Sequence, residues 1–198
     1  MGRTLRTASI LMAAVMAASF AVSCSKEPKA SSAPSIINTA NTGPAVQREK
    51  DPELGDYLLE LTVYEGAGKE RNEQWEQHYR IRTDYSLEMY GIFNGKRYSG
   101  KKIGVSQNQY WAIYDYLKAN PLSGQSISVY MNNPDGWVRN LNTYDKDGKV
   151  KDKIGGTMAS GEAFDKLCEM ILAIPNEEEK AIFISNVQTA VNKDYYVG

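Results

Sequence analysis

Residues 57–64 read YLLELTVY, and the period of that stretch constrains the fold more than any other feature of the chain. Tyr57, Leu59, Leu61 and Val63 alternate with Leu58, Glu60, Thr62 and Tyr64. Successive side chains on a strand point to opposite faces, so a period of two is the mark of a strand with one face turned to a core. Residues 73–84 repeat the pattern: Trp75, Tyr79 and Ile81 point one way, Glu76, His78, Arg80 and Arg82 the other. A third strand is expected over 85–93. Asn94-Gly95 then forms a hairpin turn into a fourth over 96–103. Connections this short cannot make parallel crossovers, so these four strands are antiparallel neighbours.

The period then changes to that of a helix. Ser106 is an N-cap with Gln109 three residues on, the spacing of a capping box. Tyr110, Ile113, Tyr114 and Leu117 follow on one face, and Asn120-Pro121 ends the helix. Further strands are expected over Ser126–Met131, over Trp137–Tyr144 after the turn at 133–136, and over Lys149–Ile154 after Asp147-Gly148. Ser160 is expected to cap a second helix with Phe164, Leu167, Cys168 and Ile171 inward. Asn176 with Glu177, Glu178 and Glu179 opens a third, because carboxylates in a first turn complement the helix dipole. Ile184, Val187 and Val191 should line its buried side. The class is α+β: an antiparallel sheet of six to seven strands with three helices on one face.

Two parts of this map are alike. Asn94-Gly95-Lys96 leads through Lys102-Ile103-Gly104 to the Ser106 helix, and Asp147-Gly148-Lys149 leads through Lys153-Ile154-Gly155 to the Ser160 helix. After each serine come an aromatic and two aliphatics at matching intervals, Tyr110, Ile113 and Leu117 against Phe164, Leu167 and Ile171. A strand–strand–helix duplication would produce this pattern, and so would any hairpin followed by an amphipathic helix.

The N-terminal region reads as an address. Arg3 and Arg6 precede an uncharged apolar run over 8–22, shorter than the roughly 20 residues that span a bilayer as a helix. That is the form of a secretory signal peptide. Ala21-Val22-Ser23-Cys24 resembles the lipobox of bacterial lipoproteins, with Ala21 where Leu is usual and Ser23 where Gly or Ala is commoner. The resemblance covers residues 1–24 only. It implies that the leader is cut before Cys24 and that Cys24 carries acyl chains. Each buried CH₂ contributes about 0.8 kcal/mol, so two chains or more hold a protein to a bilayer with no segment inside it. Ala21 and Ser23 also satisfy the small-x-small rule of ordinary signal peptidase cleavage, which would leave no lipid. Residues 25–52 are rich in Ser, Ala, Pro and Asn without apolar periodicity, the composition of a tether. The expected organisation is a signal peptide over 1–23, a lipidated cysteine and tether over 24–52, and a single α+β domain over 53–198.

Chemistry-bearing residues are sparse. The 23 basic and 24 acidic residues give a net charge of −1, and loss of Arg3 and Arg6 with the leader makes the remainder more acidic. That balance argues against nucleic acid as a partner. The single histidine, His78, is expected on a solvated strand face. Cys168 is expected as a buried thiol on a helical stripe. There is no HExxH, CxxC, GxSxG or phosphate-cradling glycine loop, so no metal or cofactor is expected. The acidic run Asp145-Lys146-Asp147-Gly148 lacks the distal ligands of a calcium loop and reads as a hairpin turn.

Thirteen tyrosines and three tryptophans remain. Most suit strands and cores. Trp111 and Tyr116, however, each sit about 110° from the centre of the first helix's buried stripe. They are the candidate partner-binding residues, either as an exposed aromatic rim or as covers for the sheet's edges. The functions that fit are a membrane-anchored binding or structural module and an inhibitor or accessory subunit of an envelope enzyme. A carboxylate-dependent hydrolase needs two acids that meet in space. The expected partners are the lipid bilayer, through Cys24, and an envelope protein or glycan.

Overall fold

A computed structural model describes residues 48–64, 74–130 and 136–195. Its strands are β1 (Tyr57–Tyr64), β2 (Glu76–Arg82), β3 (Ser86–Phe93), β4 (Lys96–Gly104), β5 (Val138–Tyr144) and β6 (Val150–Thr157). Its helices are α1 (Gln107–Ala119), α2 (Glu162–Leu172) and α3 (Glu177–Tyr195). The six strands form one antiparallel sheet in the order β4-β3-β2-β1-β5-β6. This is the α+β architecture that the hydrophobic periods predict. The two strand–strand–helix units, β3-β4-α1 and β5-β6-α2, take opposite edges of the sheet.

Local chemistry explains several boundaries. Asn94 and Gly95 both have positive φ, 49° and 75°, as a two-residue hairpin turn of this hand requires. The Ser106 hydroxyl accepts from the Gln109 amide at 3.2 Å while the Gln109 side chain accepts from the Ser106 amide at 3.3 Å. Asn176 and Glu179 exchange the same two bonds at the start of α3, at 2.8 and 2.9 Å.

All three helices contribute to one apolar core with one face of the sheet. Leu59, Leu61, Tyr79, Ile81, Leu87 and Met89 meet Tyr110 and Ile113 of α1, Phe164, Leu167, Cys168 and Ile171 of α2, and Phe183, Val187 and Val191 of α3. Gly91 and Gly100 let α3 approach the sheet closely. A Cβ on Gly91 would lie 2.5 Å from Val187, and one on Gly100 would collide with Phe183.

Four expectations change. In β1 the alternation breaks at a bulge between Tyr57 and Leu59. Leu58 and Leu59 both enter the core, and Tyr57 moves to the face it shares with Arg80 and Arg82; an extra residue in one strand reverses the facing of everything before it. Within the segment expected as a strand over 126–131, the described residues make an isolated bridge, Ser128 with Ser160; Met131 lies outside them. Ser160 does not cap α2. Gly161 is the cap residue, because Ser160 is held by the bridge and its hydroxyl donates to Asp165 at 2.7 Å. On α3, Phe183 replaces Ile184 on the buried side: Phe183 is fully buried and Ile184 is 44% exposed. Residues 183, 187 and 191 are the row that the two strand glycines admit.

Candidate functional site

The sheet face away from the helices is organised around Glu60. On β1, Glu60 stands opposite Arg80 of β2 and Asn142 of β5, while His78 of β2 stands opposite Thr62 and Tyr90. This register brings four donors onto one carboxylate. Its Oε1 accepts from His78 Nδ1 at 2.6 Å and from the Tyr90 hydroxyl at 3.1 Å. Its Oε2 accepts from the Tyr144 hydroxyl at 2.6 Å and from Arg80 Nε. A carboxylate has about four lone-pair sites, and here each has a donor.

Glu60 is only 2% exposed. Burial alone would push its carboxyl up, but the bonds from His78, Tyr144 and Arg80 and the charge of Arg80 outweigh burial and hold it at about 2. Glu60 is therefore an anion at neutral pH. Burial and the neighbouring carboxylate push the Tyr144 and Tyr90 hydroxyls well above their ordinary range, so both stay protonated and donate.

A second layer covers the first. The His78 and Tyr90 rings stack at 4.6 Å with 11° between their planes. The Arg80 guanidinium donates to the Tyr90 hydroxyl at 2.7 Å and lies 4.7 Å from the Tyr57 ring centre. The Arg97 guanidinium lies over Tyr90 at 3.7 Å. Cations over aromatic faces are attracted by the ring quadrupole; Tyr90 and Tyr144 are buried beneath this layer, and Arg97 and the half-buried Tyr57 are the parts of it that reach solvent.

His78 is not solvated, as its place on a polar strand face suggests. It is 7% exposed, because the Tyr90 ring of the neighbouring strand stacks on it. Its Nδ1 is engaged by Glu60 and its Nε2 lies 3.2 Å from Glu76 Oε2. Thr62 Oγ1 lies 3.3 Å from Nδ1, the nitrogen already bound to Glu60. A general base needs a ring nitrogen turned toward a substrate, and neither nitrogen is so placed. Among the described residues no group of three His, Cys, Asp or Glu side chains stands at metal-holding distance.

Cys24 lies outside the described residues. Trp111 is half-buried in an aromatic cluster, 5.1 Å from Tyr110 and 5.2 Å from Tyr114 between ring centres, and Arg48 lies over it at 4.4 Å. Tyr116 is half-buried and lines a polar groove of about 410 Å³ with Asn120, Gln125 and Glu162. The two side chains do not form one rim: five residues apart on a helix, they point about 140° from each other. Arg48 and Asp51, in the stretch with tether composition, hold side-chain bonds to Asp115, Tyr114 and Lys118 of α1. Cys168 is fully buried, and burial pushes its thiol up to about 12.

Comparison with known proteins adds no family to this geometry: no family model, no curated protein and no solved structure matches the chain.

Proposed function

We propose that this chain is a bacterial envelope lipoprotein, held to a membrane by acyl chains on Cys24, whose folded part binds an envelope protein through the helix-free face of its sheet. One observation carries the reading: a lattice of half-buried Arg80 and buried Tyr90 and Tyr144 around Glu60 underlies that face and holds the exposed Arg97 over Tyr90 and the half-buried Tyr57 beside Arg80. Arg and Tyr are enriched among the residues that carry binding energy at interfaces. Side chains held before contact also lose less freedom on binding. A protein partner is favoured over a glycan because the hydroxyls of Tyr90 and Tyr144 are spent on Glu60. What reaches the solvent is Arg97 with the half-buried Arg82 and Tyr57, residue types that suit a protein contact.

An inhibitor or accessory subunit of an envelope enzyme is the narrower form of this reading. Against a carboxylate-dependent hydrolase stands the state of Glu60, which has no proton to give and no free lone pair for a water.

The test places a photo-reactive residue at Arg97, on the helix-free face, or at Ile184, exposed on α3, in the full chain in living cells. Irradiation should give one adduct of defined mass from position 97 and none from position 184. Adducts from position 184 alone, or equally from both, would overturn the assignment of the face.

A further inference from the structure

Beside the end of α1 the domain has a cavity of about 100 Å³, to whose wall Tyr114 of the α1 aromatic cluster and Tyr144 of the Glu60 lattice contribute. Its floor is apolar: Leu54, Leu58, Leu117, Pro121 and Leu122. An apolar cavity of about 150 Å³ stays dry and accepts benzene, so this one has room for a branched aliphatic group and not for an indole. Lys118 also lines it, but its ammonium is spent on Asp51 at 2.9 Å. Lys151 and Asp152 line it too. Among the described residues neither belongs to an ion pair, and the Asp152 carboxylate meets only the Thr143 hydroxyl, at 3.3 Å. A site with one uncompensated cation, one uncompensated anion and an apolar floor is complementary to a ligand bearing both charges and an aliphatic branch.

We infer that this cavity binds a free aliphatic α-amino acid, its side chain among the leucines, its carboxylate toward Lys151 and its ammonium toward Asp152. Such a site follows a simple size rule. Each buried CH₂ is worth about 0.8 kcal/mol, or about fourfold in Kd. Affinity should therefore rise about fourfold per added side-chain carbon from alanine to leucine, and tryptophan should not enter.

The experiment titrates the full soluble body, residues 25–198, with alanine, valine, leucine and tryptophan while following the methyl resonances of Leu54, Leu58, Leu117 and Leu122. Leucine amide and 4-methylpentanoate, each lacking one charge, serve as comparison ligands. The expected result is saturable shifts at those methyls, leucine tightest, and at least tenfold weaker binding of both comparison ligands. Lys151→Gln, at an exposed position, and Asp152→Asn, at a half-buried one where the amide oxygen can still accept from Thr143, should each weaken leucine about tenfold with unchanged unfolding curves. No shift at these methyls with 20 mM leucine would overturn the site. Binding of 4-methylpentanoate or the amide as tightly as leucine would overturn the two-charge assignment.

Discussion

Glu60 is the side chain on which the helix-free face depends, and its energetics follow from two opposed effects. Burial disfavours the anion, while the bonds from His78, Tyr144 and Arg80 and the Arg80 charge favour it, and the second effect wins. The folded value of about 2 lies below the ordinary value of about 4.3 for a free glutamate. A depressed carboxyl stabilises the fold above its unfolded value and loses that contribution as pH falls through the folded value. Stability should therefore decline between about pH 4.5 and pH 2. In urea unfolding across that range, Glu60→Gln should remove this part of the decline. At neutral pH it should cost about 3–5 kcal/mol, because Arg80 is left without its counter-charge. Wild-type stability in the variant would show that the lattice is not held by this anion. Trp111 is the second residue with a clear expectation. Cutting a fully buried Trp to Ala costs about 3–5 kcal/mol, so Trp111→Ala, half-buried under Arg48, should cost about 2 kcal/mol in the same assay. Little of the site was legible from residues alone. A single Glu between Leu59 and Leu61 signals one polar strand face, but its partners are 18 to 84 positions away in the chain. Only the register reveals that they converge.

At the scale of elements, the sequence was most informative where chemistry is local. The Asn94-Gly95 turn, the Ser106 capping box and the Phe164–Ile171 stripe depend on residues a few positions apart, and all three hold in the structure. Features set by docking were harder to read. Phe183 and Ile184 are adjacent and similarly apolar, and only the approach of α3 to Gly91 and Gly100 decides between them. Glycines inside strands were the available signal, since they often mark a close approach of another element. This makes the α3 contact testable. Gly100→Ala sets a methyl against the Phe183 ring and the Met89 carbonyl, and overpacking of this kind costs about 1–3 kcal/mol. Amide exchange should quicken along α3 while β1 and β2 keep their protection. Uniform loss across the sheet would mean that α3 and the sheet open as one unit.

For the whole molecule, an open sheet with helices on one side has two unlike faces. One holds the apolar core, and the other holds a buried polar lattice with Arg97 exposed over it. The proposed anchor at Cys24 would keep that surface close to a membrane, and it has its own check. Intact mass of the mature protein should show acyl chains on Cys24, and Cys24→Ser should move the protein out of the detergent phase; an unmodified thiol in the mature chain would contradict anchoring. Hydroxyl-radical footprinting of the protein in native envelopes and after purification reports directly whether a partner covers the helix-free face. Tyr57 should be protected only in envelopes, with Tyr195 at the end of α3, 45% exposed, equally reactive in both. Equal reactivity of Tyr57 in the two states, or protection confined to α3, would contradict a contact at that face.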